Sequence, residues 1–272
     1  MHPRMFLEGF WRSDIKYQVF VAMPFGSPFD ERFEKALKPA IENIVVDVSQ
    51  KAPHENSHKL TAYRVDNSKS GDSIHTEIMD GIAHSLLVIA DLSEVGRWVN
   101  SAREVQTTPN GNVMYEVGLA LASRQQPEVI LIRDKKDKGK LLFDVSTIPC
   151  VPIDFDNPTS AITQVQSLLT DRIKEIDWRK LNKVAMTLAS LTPSEIKLIR
   201  THRGDNFVGW IDNNTVNFLV DNALPGLLDK GILRYHGIHD DKQVPVYTWT
   251  SFGNIIRNKM PDFKQPDESK QA

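Results

Sequence analysis

From Tyr17 to Asp154 the chain switches repeatedly between short apolar, β-branched runs and segments whose apolar residues recur at helical spacing. That alternation is the pattern of βαβ units around a mostly parallel sheet. Strands are predicted at YQVFVAM (17–23), LTAYRVD (60–66), LLVIAD (86–91), VILIR (129–133) and VPIDF (151–155). Helices are predicted at 29–44, 73–85, 113–125 and about 160–179. Ile74, Ile78 and Ile82 recur every four residues and give the second helix one apolar stripe for the sheet. The fold class that follows is α/β, a doubly wound, mostly parallel five-stranded sheet occupying residues 1–182.

A second unit is expected over 183–262, with a flexible polar tail at 263–272. Thr192-Pro193-Ser194-Glu195 reads as an N-cap, a proline at the first helical position and an acidic residue closing the capping box. A helix ending at Gly231 and a strand follow, and then VPVYTWTSFGNIIRNKM reads as a strand returning into a helix. The LLDKGIL and YTWTSFG segments give this unit a loose resemblance to winged-helix domains, which implies a nucleic-acid or protein partner. Residues 183–272 hold 11 Lys+Arg and 10 Asp+Glu, a net of +1. That is short of a basic nucleic-acid footprint, so protein docking or dimerisation stands beside DNA or RNA binding. Trp210, Trp249, Phe218 and Phe252 read as the core of this unit rather than as stacking platforms.

Composition narrows the classes further. With Lys+Arg 33 against Asp+Glu 35 in 272 residues, the formal charge of -2 supplies no global attraction to nucleic acid or an anionic membrane. Cys150 is the only cysteine, which excludes an intrachain disulfide and a cysteine-held metal and fits a reducing cytoplasm. The first fourteen residues interrupt their apolar positions with Arg4, Glu8 and Arg12, unlike a signal peptide. No apolar run approaches the ~20 residues of a membrane span. The expected protein is soluble and cytoplasmic, without a membrane partner.

In open parallel sheets ligands sit beyond the carboxyl ends of the strands. The residues there are Met23-Pro24-Phe25, Asp66, Asp91 and the turn Asn110-Gly111-Asn112, with Asn112 read as the N-cap of the helix that follows. Within VMYEVGLALA (113–122) Glu116 is the only charged residue. An ionised carboxylate on so apolar a helix costs several kcal/mol unless it is paired or faces a polar cleft. Glu116 therefore either faces a cleft or emerges at the surface. Asp91 either serves the site or caps its own turn, and Arg64 with Asp66 either bind substrate or form an exposed pair. The lysines at 135, 136, 138 and 140 read as a solvated turn, and neither His54 with His58 nor His236 with His239 has a third metal ligand. Neither GxGxxG nor GxxxxGK[ST] occurs.

The set VFVAMPF (19–25), Arg64-x-Asp66, VIADLS (88–93) and NVMYEVGLALA (112–122), followed by VILI and LLFDVSTIP, resembles the nucleoside 2-deoxyribosyltransferase-like family over about residues 17–155. The resemblance implies a flavodoxin/Rossmann-like sheet with Glu116 as nucleophile and Asp91 holding the sugar or the nucleophile. It further implies that Met23, Pro24 and Phe25 line the pocket; Arg64, Asp66, Asn110 and Asn112 are further candidate substrate contacts from their places at the strand ends. The implied reaction is cleavage or transfer at the N-glycosidic bond of a nucleoside, nucleotide or NAD-like molecule, with no metal or other cofactor and a homo-oligomeric protein. Asn110 and Asn112 stand where transferases of this kind tend to carry a further aspartate, which leaves hydrolysis open beside base exchange. Fusion to a winged helix resembles the toxic effectors of bacterial anti-phage systems, retron accessory proteins among them. The alternative is a non-catalytic nucleotide-sensing module that signals through its C-terminal domain.

The segment 93–111 is longer than a usual strand-to-helix connection and is anchored at both ends beside the expected site. Val95, Trp98 and Val99 suit a base or sugar, and Arg97 and Arg103 suit a phosphate. A gating loop is expected there.

Overall fold

The computed structural model describes residues 15–47, 57–65, 74–99, 101, 103, 105–139, 141, 146–202, 207–209, 214–238 and 244–260. The chain divides into two compact units, one of Asp14–Asp177 and one containing Trp178–Ala272.

The first unit is built on five parallel strands. They are β1 (Lys16–Ala22), β4 (Thr61–Tyr63), β5 (Ser85–Asp91), β8 (Val129–Asp134) and β9 (Cys150–Ile153), in the order β4-β1-β5-β8-β9. A short antiparallel ribbon of β2 (Val45–Asp47) and β3 (Ser57–Lys59) precedes β4. The strand expected at 60–66 is thus cut short, because Leu60 turns into the core and its N–H donates to the Ile44 carbonyl at 2.9 Å. Numbering only the parallel strands in chain order gives 2-1-3-4-5, a doubly wound arrangement whose order reverses between β1 and β5.

Helices flank this sheet. The consecutive helical segments Phe29–Arg32, Phe33–Leu37 and Lys38–Glu42 form α1, and α2 is Ile74–His84, α3 Gly111–Ser123 and α4 Pro158–Ala189. All seven residues of β5 are buried, as a central strand covered on both faces requires. Side chains alternate between those faces. Phe20, Ala22, Val88, Ala90, Val129 and Leu131 meet Ile82 of α2 and Val113, Val117 and Ala120 of α3 in one core cluster. Val19, Val21, Leu87, Ile89, Ile130 and Ile132 point the other way and are equally buried. Their face is the one left to α1 and α4, whose Leu37, Ile41, Ala161, Val165 and Leu169 are buried. Helix α4 runs ten residues past the expected end at 179, because no glycine or proline interrupts it between 159 and 189.

The far end of α3 is pinned by Arg124, whose guanidinium donates to the carbonyls of Ile82, Ala83 and Leu86 at 2.9 to 3.2 Å and pairs with Glu128 at 3.1 Å. Both side chains are almost fully buried. One cation here satisfies the end of α2 and the start of β5 together, and so sets α3 against the sheet.

The described residues of segment 93–111 include regular structure. Strands β6 (Gly96–Val99) and β7 (Val105–Thr108) pair as an antiparallel hairpin, with Arg103 at a positive φ of 58° between them.

In the second unit α5 (Pro193–Thr201) starts at the expected capping box, Thr192 with Glu195. Glu195 also takes Lys230 at 2.8 Å. The remaining elements are β10 (Phe207–Gly209), α6 (Asn214–Asp229), β11 (Leu233–Ile238), β12 (Pro245–Trp249) and α7 (Ser251–Lys259). The sheet has three antiparallel strands, β10-β12-β11, rather than the expected two-stranded wing. A three-residue strand such as Phe207–Gly209 is too short to carry a legible alternation. Trp249 and Phe252 lie in the core as expected. Trp210 and the Phe218 side chain, like the tail 263–272, lie outside the described residues.

Gly81 is where α2 presses closest on β1. A Cβ there would overlap the ring of Phe20, itself 1% exposed, and approach Tyr63 Cε1 at 2.9 Å. Gly81→Ala gains up to ~1 kcal/mol of helix propensity but overpacks at a cost of about 1–3 kcal/mol. Net destabilisation is therefore expected in denaturant unfolding, and a variant more stable than wild type would show that the two elements separate freely.

Candidate active site

Helix α3 begins one residue beyond Asn110, whose side-chain oxygen accepts the N–H groups of Asn112 at 2.9 Å and Val113 at 3.3 Å. The cap is thus Asn110 and not Asn112, which is the exposed second residue of the helix. Both asparagines are competent caps, and the extended φ of -61° and ψ of 132° at Asn110 decides between them. Glu116 consequently sits in the second turn, where the helix dipole gives it little, since that effect fades beyond the first turn.

The Glu116 side chain lines a small, partly open cleft. Its walls come from the ends of β1 (Phe20, Val21, Met23, Phe25), from Arg64 and Val65 after β4, and from Ile74 and Ile78 of α2. Strands β1 and β4 carry their carboxyl ends here, beside the point where the strand order reverses, which is where open α/β sheets bind ligands. Among the described residues nothing hydrogen-bonds to Glu116 or forms an ion pair with it. Burial against these apolar walls pushes its pKa from an ordinary 4.5 up to about 7.

Arg64, the other charged residue of the cleft, is held from several sides. It pairs with Asp30 at 2.8 Å, and its guanidinium lies over the rings of Phe25 at 5.0 Å and Phe33 at 4.7 Å. Asp30 also accepts the Gly26 N–H at 3.0 Å, at a glycine whose φ of +85° lets the chain turn sharply after β1. Arg64 Nη1 is buried without a hydrogen-bond partner among the described residues. Pro24 is buried, whereas Phe25 is 51% exposed at the rim. Asp66 lies outside the described residues.

Asp91 is not brought to this cleft. Ala90 and Leu92 point into the cluster with α3, so Asp91 between them points to the opposite face, where it is fully buried. There its Oδ1 accepts the Ser93 hydroxyl at 2.5 Å and the Ser93 N–H at 2.9 Å, and its Oδ2 lies 3.8 Å from Arg32 of α1. Arg32 itself pairs with Asp134 at 2.5 Å and lies over Phe155 at 4.7 Å. Burial raises the Asp91 pKa, against the opposing pull of the Ser93 hydrogen bonds and of Arg32. This Arg32–Asp91–Asp134 cluster was not legible beforehand, since Arg32 sits in the strongly charged run DERFEK.

The hairpin is anchored elsewhere. Glu94 N–H donates to Asp137 at 2.8 Å, Arg97 pairs with Glu94, and Gly139 lies directly against Thr107. Trp98 is 49% exposed, and none of Arg97, Trp98 and Arg103 lines the cleft. Lys135 and Lys136 pair with Asp154 and Asp156 in the turn after β8, and Lys138 donates to the Lys135 carbonyl at 3.3 Å. Lys140, His54 and His239 lie outside the described residues. His58 stacks on Tyr17 at 4.6 Å, and among the described residues no group of three potential ligands is placed to hold a metal. Nor, among them, is any helix long and apolar enough to cross a membrane.

No protein-family model matches the chain, and no curated protein matches its sequence.

The raised Glu116 pKa has a sign that stability measurements read. The fold favours the protonated form, so Glu116 costs nothing below pH about 4.5 and costs most once the pH has risen past 7. Glu116→Gln is expected to match wild type at pH 4 and to exceed it at pH 8, by well under the full value of the shift because the half-buried carboxyl is partly screened by solvent. Equal stability at both pH values would mean that the carboxylate is solvated.

Proposed function

We propose that the α/β unit cleaves or exchanges the N-glycosidic bond of a nucleoside, nucleotide or NAD-like molecule, with Glu116 as its nucleophile. The observation that carries this reading is a carboxylate, unpaired among the described residues, at the switch point of the sheet in a mostly apolar cleft. Burying it there is a standing cost with no structural return, which is the mark of a group kept for chemistry. The resemblance of VFVAMPF, VIADLS and NVMYEVGLALA to nucleoside 2-deoxyribosyltransferases supplies the bond. A carboxylate attacking an anomeric carbon through an oxocarbenium-like transition state forms a glycosyl ester, which water or a second base resolves with net retention. Arg64 is placed to hold sugar or phosphate oxygens. Under this reading the protein is a cytoplasmic homo-oligomer whose C-terminal unit docks a protein or nucleic acid, and a toxic effector of anti-phage defence is one cellular setting that suits it.

A sensing module that binds without turnover is the second reading. It is favoured by Asp91 facing away from the cleft, which leaves Glu116 without the partner carboxylate that the resemblance implies.

Base release from a panel of nucleosides, nucleotides and NAD separates the two readings. Turnover is expected, with Glu116→Gln slower by at least ~10³-fold. Since the ionised form attacks, kcat/KM is expected to climb about tenfold per pH unit below 7 and to level off above it. A rate that falls as the pH rises through 7 would make Glu116 the acid instead. Ligand binding without release, unchanged by Glu116→Gln, would establish the sensing module.

A further inference from the structure

We propose that residues 4–12 form a short amphipathic helix that docks on an exposed apolar face of α4 between Trp178 and Ala189. The inference is independent of the reading of Glu116.

From Trp178 to Ala189, α4 is apolar on two sides. One side is turned inward, where Val184 is buried and Lys183 Nζ lies 4.6 Å over the Phe252 ring of α7. On the other, Trp178, Leu181 and Met186 are 63%, 51% and 66% exposed, with Ala185 and Ala189 exposed beside them. These positions follow at i, i+3, i+7, i+8 and i+11, which is one stripe of a helix surface. Arg179 is the only charged residue among the exposed positions of this stretch. A helix apolar all round is ordinarily a buried one, so the stripe calls for a cover.

The start of the chain holds a stripe that matches it. In PRMFLEGFWR (3–12) Phe6, Leu7, Phe10 and Trp11 recur at i, i+1, i+4 and i+5, while Arg4, Glu8 and Arg12 recur every four residues on another side. Pro3 suits the first helical position, and the Arg4, Glu8, Arg12 series supplies i,i+4 ion pairs. A helix this short, with Gly9 inside it, does not hold alone in water and needs a surface to form on.

The described residues begin at Ile15, so this segment lies outside them, but the point from which it leads is fixed. Helix α4 starts at Pro158, just beyond the carboxyl end of β9, and runs back over the sheet with Ala161, Val165, Leu169 and Ile176 buried. It therefore leaves the sheet at the end where β1 begins at Lys16. In the division of the chain into compact units, Met1–Ser13 fall with Trp178–Ala272. At 1.5 Å per residue a helix of residues 4–12 is about 13 Å long, and Trp178 to Met186 spans about 12 Å. A segment running toward β1 lies antiparallel to α4, with Trp11 toward Trp178 and Phe6 toward Met186. Its short tether gives it an effective concentration on the order of millimolar, ahead of a second copy or a membrane at ordinary protein concentrations.

The test is disulfide trapping in the full chain carrying Cys150→Ser. Leu7→Cys is combined in turn with Leu181→Cys, Ala185→Cys and Ala189→Cys, three exposed positions of the stripe, and with Thr163→Cys, exposed near the start of α4, as the control. Under mild oxidation at least one of the three pairs is expected to crosslink within the chain ~10-fold faster than the control. Crosslinks between chains at those positions overturn the proposal in favour of a second copy. No crosslink at any of them, or one that forms as fast with Thr163→Cys, overturns it outright. Wild type is also expected to stay in the supernatant when vesicles of phosphatidylcholine and phosphatidylglycerol are sedimented. Co-sedimentation that Leu7→Asp abolishes assigns the segment to a lipid surface and overturns the docking on α4.

Discussion

A parallel strand covered on both faces has no room for polar side chains except at its ends, and the first unit is organised around that constraint. Strand β5 is buried at every position from Ser85 to Asp91. Apolar layers on either side exclude water along its length, so polar chemistry is displaced to the carboxyl ends of the strands and the turns beyond them. Helix α3 lies against this strand, capped by Asn110 at one end and pinned by Arg124 at the other. Between those two fixtures Glu116 has little freedom to withdraw into solvent.

Two carboxylates at this end of the sheet, Asp91 buried and Glu116 half-buried, meet the cost of desolvation in opposite ways. Asp91 is compensated by two hydrogen bonds from Ser93 and by a nearby Arg32, which Asp134 shares. It belongs to a network that ties β5, β8 and α1 together, and breaking such a network by removing one partner typically costs about 3–5 kcal/mol. Glu116 has no such compensation among the described residues, and its pKa is pushed up to about 7. A protein under selection for stability alone would replace it with glutamine or leucine, because apolar packing on an apolar helix is worth more than an unpaired charge. Its presence is intelligible if a ligand supplies the missing partner.

Much of this was legible in the sequence, and the remainder has identifiable physical reasons. The five parallel strands announce themselves because strands buried on two faces read as unbroken apolar runs, LLVIAD and VILIR above all. Glu116 is legible as the lone charge in an otherwise apolar helix. The face to which Asp91 points is not, since it depends on which helices occupy which layer, a fact about tertiary packing that no local pattern contains. Arg32 and Arg124 look like surface residues, Arg32 in a charged run and Arg124 at a polar helix end, and only long-range partners reveal them as buried. The hairpin in 93–111 escapes notice because its strands have four residues each, and the choice of Asn110 over Asn112 as cap lies within the ordinary uncertainty of helix ends.

If Glu116, unpaired among the described residues, is held in a mostly apolar cleft, the most direct measurement is the titration of its own carboxyl. Carbon-detected NMR of protein labelled at glutamate side-chain carboxyls, with the Glu116 resonance assigned by its disappearance in Glu116→Gln, reads the midpoint without reference to activity or stability. A midpoint near 7 is expected. A midpoint at the ordinary value of about 4.5 would place the carboxylate in water and contradict the account of the site.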